Sequence, residues 1–287
     1  MIYLLLSILF SSGLFVIFKF FSIYKIDVLK AIVINYITAF ILGFLFSESN
    51  FSILEVSNQP WFLGSIFLGI LFVAIFFVMA MTSQKNGVSV ASVAGKMSVV
   101  IPVFFGIFLY NESFSFLKIT GIFIVLIAVY LTSFKEEKSI SQKNTLLFPV
   151  LLFLGSGTID TVLKYIEINF VSKEDVSIFS GSLFGIAAIV GCLFLLIQQI
   201  KQPTSFGIKN LIAGILLGVP NYFSIIFLIK SLQTRGFESS MLFTINNVGI
   251  VVLSTIFGVV LFKEHFSLKN KIGIALAIFG IIMVAVS

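Results

Sequence analysis

Lys96 stands in an otherwise uncharged run, eight residues after Val88 and thirteen before Leu109. On a helix rising 1.5 Å per residue that is about 12 Å and 20 Å from the two ends, too deep for easy snorkelling. A charge at a membrane helix centre costs about 2.5–3.5 kcal/mol on insertion scales, so such residues are functional candidates by default. Lys96 has two uses open to it. Structurally it pairs with a buried acid or with freed backbone carbonyls. Functionally it meets a substrate anion or exchanges a proton. Asp160 and Lys164 lie one turn apart with the acid first, the favourable order on a helix. They read either as a self-compensated pair or as a second polar site. Asn246 and Asn247 sit in another apolar run, and Asn35 in a third. Amides there bind substrate or join helices; for Asn35 helix joining is the expectation. Glu112 and Glu264 end two apolar runs and are expected in solvated helix-exit turns. Pro102 and Pro220 are expected kinks that expose backbone groups. His265 is the one histidine and has no metal-binding partners beside it in sequence. Gly95-Lys96-Met97-Ser98 is not a phosphate loop, because the upstream glycine is missing and Met follows the lysine. No redox, zinc-protease or lipase motif is present, so no cofactor or metal is expected and a catalytic role lacks its clustered groups.

The elements that carry these residues follow from composition. Of 287 residues, 59% are hydrophobic, 10% are charged and 36 are Phe. Soluble domains carry about 25% charge. A chain this short cannot hide so much apolar surface from water. That excludes a soluble enzyme, a disordered segment and a nucleic-acid-binding domain. The net charge of +6 does not revive nucleic-acid binding, since the basic residues are scattered singly. Cys192 is the only cysteine, so no intrachain disulfide forms. Runs of about 20 apolar residues span a membrane as helices. Ten are expected, over residues 2–21, 29–46, 61–81, 88–109, 116–134, 145–166, 176–197, 211–229, 239–262 and 268–286. They are apolar on every face, which excludes the alternation of a β-barrel. Trp61, Tyr24, Tyr110 and Tyr165 fall near span ends, where amphipathic rings favour the interface. Residues 2–21 lack a basic leader and a small-residue cleavage site, and read as a retained helix.

Charge sets an orientation. Lys25, Lys30, Lys85, Lys135, Lys138, Lys143, Lys201, Lys209, Lys263, Lys269 and Lys271 lie in or beside odd-numbered connections. Even-numbered connections hold Lys118, Lys173, Lys230 and Arg235 among several acids. The positive-inside rule puts the odd connections in the cytoplasm and both termini outside.

The chain also repeats itself. Phe105-Gly106, Leu109, Glu112, Phe114-Ser115 and Gly121-Ile122 recur at constant offset as Phe257-Gly258, Leu261, Glu264, Phe266-Ser267 and Gly273-Ile274. Upstream, Gln84-Lys85-Asn86-Gly87 matches Gln233-Thr234-Arg235-Gly236, and Lys19-Phe20 echoes Lys164-Tyr165. Two repeats of five helices, residues 1–138 and 139–287, therefore enter the membrane in opposite directions. Inverted repeats are a signature of secondary transporters, with a midplane site between the halves.

Ten helices, with the fourth of each half leading through a Glu turn to a Gly-bearing fifth, resemble the EamA-like branch of the drug/metabolite transporter superfamily. The residues that carry this are Ser98 to Gly106 with Glu112 and Gly121, then Gly258, Glu264 and Gly273. The sequence departs from the pattern where Ser254 replaces the counterpart of Pro102, and in lacking basic residues ahead of the first helix and in residues 47–60. The resemblance implies a cavity lined by helices one, three, four, six, eight and nine, and export or exchange of a small metabolite. The expected fold is thus all-α and integral to a membrane, with a bacterial cell membrane as its setting. The expected function is alternating-access transport of a small polar or amphipathic metabolite. Lys96, Asp160, Lys164, Asn246 and Asn247 are the expected substrate contacts, and their net positive charge favours an anion. Lipid surrounds the chain, protons are the candidate coupling ion, and both monomer and homodimer remain open. A carrier for lipid-linked or nucleotide-linked sugars is the alternative, and would need a lateral opening. A membrane enzyme is the third class.

Overall fold

A computed structural model describes residues 2–46, 56–102, 105, 116–133, 146–171, 176–201, 203, 206–232 and 239–286. Among them there are helices and turns but no strand. The long helices are α1 (Ile2–Ile23), α2 (Val28–Leu45), α3 (Phe62–Lys85), α4 (Val88–Met97), α5 (Phe116–Ser133), α6 (Leu147–Phe170), α7 (Val176–Lys201), α8 (Ile208–Leu232), α9 (Ser239–Phe262) and α10 (Leu268–Val286). Each falls on one of the ten expected runs. Five carry segments long and apolar enough to cross a bilayer, namely Ile2–Ile23, Phe62–Lys85, Ile178–Lys201, Ile208–Leu228 and Ile245–Phe262. The described parts of the others are shorter apolar helices, such as Val28–Gly43 and Ile119–Thr132.

Lipid-facing stripes are visible in the exposures. On α5, Phe123, Ile127 and Tyr130 recur at helical spacing and are 62%, 52% and 54% exposed. Water does not tolerate so large an apolar surface, and acyl chains do. The protein is an all-α integral membrane protein.

The chain forms two compact units. The first comprises Met1–Phe20, Val78–Thr158 and Phe223–Ser287; the second comprises Phe21–Phe77 and Ile159–Tyr222. Each draws on both halves of the sequence. In the first unit α5 packs along α10. An added Cβ at Gly121 would stand 3.0 Å from the Gly280 carbonyl, and one at Gly273 would stand 2.8 Å from the Thr132 nitrogen. As α5 ascends α10 descends, so these repeat-equivalent helices are antiparallel. Their shared core includes Val125, Ala128, Ala277 and Ile281, and extends to Val93 and Met97 of α4 and Val251 of α9. In the second unit α2 runs antiparallel to its equivalent α7, with Gly185 against the Phe40 ring and Gly191 against Val33. Trp61, Leu68, Phe179 and Leu183 build the core of this unit. Trp61 is 1% exposed and meets Phe179 edge to face at 5.4 Å. It is a core residue and not the interfacial ring expected of its place at a span end, because it turns inward to bury its large apolar area. Tyr24 and Tyr165 are exposed, and Tyr110 lies outside the described residues.

Candidate functional site

Helix α4 is made to be short and closely packed. Ser89, Ala91, Ser92 and Ala94 are small and buried, which lets neighbouring backbones approach. Regular helix pauses at Ser98 and Val99, well inside the run expected over residues 88–109, and resumes at Val100–Pro102. Pro102 supplies the reason. It has no N–H, so the Ser98 carbonyl loses its regular donor four residues on. The Ile101 N–H takes that carbonyl at 2.9 Å in a tighter turn, and the Ser98 hydroxyl turns back to the Gly95 carbonyl at 2.7 Å. Lys96 therefore sits just before this tightened turn. It is half-buried.

Helix α9 runs antiparallel to α4. Gly258 of α9 faces Ser89, and Val88 meets Glu264 just beyond the helix end. Counting equally along both helices from the Ser89–Gly258 contact puts Val251 level with Lys96 and Asn247 one turn away. Asn247 is half-buried and Asn246 is 3% exposed. The Ser7 hydroxyl of α1 lies 3.1 Å from Asn246 Oδ1 and 3.0 Å from the Ser224 carbonyl of α8. One hydroxyl proton cannot fully serve two acceptors. Turning the Asn246 amide over makes a consistent chain, amide to hydroxyl to carbonyl. Asn246 thus joins α1, α8 and α9, while Asn247 stands on the adjoining side of α9.

Asp160 is exposed on α6 in the second unit, and Lys164 follows one turn later on the same helix, with its side chain outside the described set. The structure therefore gathers Lys96, Asn246 and Asn247 in one unit and assigns Asp160 and Lys164 to the other. Pro220 lies inside α8. Glu112 lies outside the described residues. Asn35 of α2 accepts a hydrogen bond from Asn221 Nδ2 of α8 at 3.1 Å, which is the helix-joining role expected of it.

Three polar arrangements were not anticipated from the sequence. Glu264 leaves the exit of α9 and accepts from the Val88 N–H at 2.7 Å and from the Ser89 hydroxyl at 3.1 Å. Its repetition at the place of Glu112 was the signal, and it was read as a solvated turn. Lys30 is 1% exposed on the first turn of α2, 3.5 Å from Asp27 and over the Phe206 ring. The Lys19 ammonium donates to the Gln84 carbonyl at 3.0 Å, so it ties α1 to the end of α3. Among the described residues no group of three His, Cys, Asp or Glu side chains is placed to hold a metal. An apolar pocket of about 240 Å³ between α5 and α6, lined by Leu126, Tyr130, Val150 and Phe153 among others, holds none of the candidate residues.

Residues 1–134 match the model of the EamA-like transporter family. A Haemophilus influenzae protein described as uncharacterized is 28% identical over 290 residues, covering 97% of this chain and 95% of its own length. A protein of known crystal structure is similar at a TM-score of 0.63 and 18% identity, over 99% of this chain and 96% of that one, and so shares the fold.

Proposed function

We propose, from the premise that this chain belongs to the EamA-like transporter family through residues 1–134, that it is a secondary active transporter of a small anionic metabolite. Its activity as a membrane transporter of the drug/metabolite type follows from that family. The anionic substrate is our reading of the site. The observation that carries it is the half-buried Lys96 beside a tightened turn in an apolar helix, in the unit that also holds Asn246 and Asn247. A half-buried ammonium there attracts a carboxylate or a similar small anion. Asn247, one turn from it in register, supplies amide donors and acceptors. An anion at Lys96 neutralises the charge, and this lowers the cost of closing the low-dielectric walls over it. Export or exchange follows from the resemblance to the family. Protons are the proposed coupling ion, and the cell membrane of a bacterium is the proposed setting. Asp160 and Lys164 form a second polar site on α6 in this reading.

The test is Lys96→Met, which keeps the stem and removes the charge. Proteoliposome uptake is screened over a metabolite panel, with and without a pH gradient. The variant is expected to insert and to melt near the wild-type temperature, because it removes an insertion penalty. Loss of a charged partner costs about 2 kcal/mol or more, so flux of the anionic substrate is expected to fall by at least tenfold. Wild-type flux with a lowered melting temperature would make Lys96 a structural residue and end this assignment.

A further inference from the structure

The N-terminus of α4 has no cap of its own. Gly87 precedes it at φ 113 and has no side chain to offer. Other helices here cap themselves: Asp27 Oδ1 accepts from Leu29 and Lys30 at the start of α2, and the Ser267 hydroxyl accepts from the Asn270 N–H in α10. For α4 the cap comes from another helix. Past the end of α9, Lys263 adopts φ 51, and the chain turns so that the Glu264 N–H reaches the Gly258 carbonyl at 3.0 Å. The Glu264 carboxylate then lies across the start of α4. Oε1 accepts from the Val88 N–H at 2.7 Å, and Oε2 accepts from the Ser89 hydroxyl at 3.1 Å and more weakly from the Ser89 N–H at 3.4 Å. The free N–H groups and the positive dipole end of α4 both favour an anion there.

Two glycines make room for it. A Cβ at Gly87 would stand 2.7 Å from Oε1, and a Cβ at Gly258 would stand 2.5 Å from Oε2. Gly87 also needs its positive φ, which a side chain would strain. Gly87, Gly258 and Glu264 are three of the letters that recur in the other half as Gly236, Gly106 and Glu112.

A local cap travels with its own helix and says nothing about its neighbours. An imported cap holds only while the two helices stay together. Here it joins the helix that carries Lys96 to the helix that carries Asn246 and Asn247. We propose that the Glu264 carboxylate is a latch that keeps the Val88 end of the α4–α9 pair shut, and that transport requires its release. This rests on the transporter reading above. The latch closes one end of the pair, and parting of the helices exchanges its three bonds for water.

The test reads opening directly and needs no substrate. In a Cys192→Ala background, Ser92→Cys and Ser254→Cys serve as separate reporters, since both serines are 0% exposed. Proteoliposomes are treated with a membrane-impermeant maleimide, and the rate of labelling is measured. With Glu264 intact, labelling is expected to be slow. Glu264→Gln keeps the size but sets an amide donor against N–H donors, and is expected to raise the rate roughly tenfold, as for loss of a charge-assisted hydrogen bond. Ser89→Ala removes the hydroxyl alone, leaves Val88 bonded, and is expected to give an intermediate rate. It is the variant to read if Glu264→Gln does not fold. Unchanged labelling in folded variants with lowered melting temperatures would show an ordinary helix cap and overturn the latch. That result would leave the Lys96→Met flux test untouched. Conversely, unchanged flux in Lys96→Met would not alter the labelling rates, so the two proposals fail separately.

Discussion

At the scale of single residues, polarity inside an apolar run is legible in the sequence and partnership is not. Lys96 stands out because it interrupts an uncharged run, where a charge is costly. Lys30 was counted with the connections, since its position near a run's start suggested a wet ammonium. Its burial depends on Asp27 one turn before it and on Phe206, far away in the chain. Asn35 shows the same limit. Its polarity inside an apolar run predicted a helix-joining amide, but not that the partner is Asn221. This pair can be measured. Asn35 and Asn221 are 0% and 4% exposed, and the bond between them is 3.1 Å. Interhelical hydrogen bonds in membranes average about 0.6 kcal/mol in double-mutant cycles, with a maximum near 1.7. The cycle Asn35→Ala, Asn221→Ala and the double variant, followed by unfolding in detergent, is therefore expected to give a favourable coupling within that range. Strict additivity of the two single changes would remove the bond from the account of stability.

At the scale of elements, hydropathy located the helices, and backbone chemistry decided where they stop. The spans expected over residues 239–262 and 268–286 are α9 and α10 residue for residue. Within the span expected over residues 88–109 the regular helix pauses at Ser98 and Val99 and resumes at Val100–Pro102, because the N–H that Pro102 lacks acts four residues back. The repeated letters turn out to be architectural. Gly258 seats the Glu264 carboxylate, Ser267 caps α10, and Gly273 lets α10 approach α5. Their recurrence pointed to a turn that must be built twice, and it carried no chemistry of a substrate. Small residues let helices approach, though unevenly. On α8, Gly214 and Gly218 both touch α2: a Cβ at Gly218 would stand 2.6 Å from Thr38 Cβ and 2.8 Å from the Asn35 carbonyl. On α7, Gly185 faces Phe40, but nothing lies within 4 Å of a Cβ at Gly181. Gly218→Ala is expected to push α2 from α8 and cost about 1–3 kcal/mol, as overpacking does. Gly181→Ala is expected to be neutral or to raise stability by about 0.5–1 kcal/mol, through the better helix former. Thermal melts of the two variants check both; equal losses would refute the packing difference.

At the scale of the whole molecule, the pairing of repeat-equivalent helices carries the topology. Within the first unit α5 pairs with α10 and α4 with α9, and within the second α2 pairs with α7, each pair antiparallel. A two-fold axis across each pair produces that arrangement. Equivalent helices are antiparallel in the membrane only when an odd number of crossings separates one half from the other, as five does. If each of the ten helices crosses, the chain returns to its starting side and both termini share a compartment. Lysine decides which one. Lys30 is buried beside Asp27, and Lys19 is spent on the Gln84 carbonyl, so neither reports on a wet loop. Lys135, Lys138 and Lys143 between α5 and α6, with Lys201 at the end of α7 and Lys209 at the start of α8, still crowd the odd connections. Lys263, Lys269 and Lys271 lie in or beside the turn from α9 to α10. The even connections oppose them with Glu48, Glu55, Glu174 and Asp175 among few bases, and Glu167 lies in the last turn of α6. The positive-inside rule counts Lys and Arg near the span ends, and acids contribute little, so the surplus on the odd side is the term that matters. Odd connections in the cytoplasm put Met1 and Ser287 outside. A periplasm-active reporter fused after Ser287 is expected to be active, and a cytoplasm-active reporter at the same place silent. The reverse pattern would show that lysine placement does not govern insertion of this chain. Activity of a single reporter at both Ser287 and the connection between α5 and α6 would refute ten crossings altogether, because the two points must lie on opposite sides.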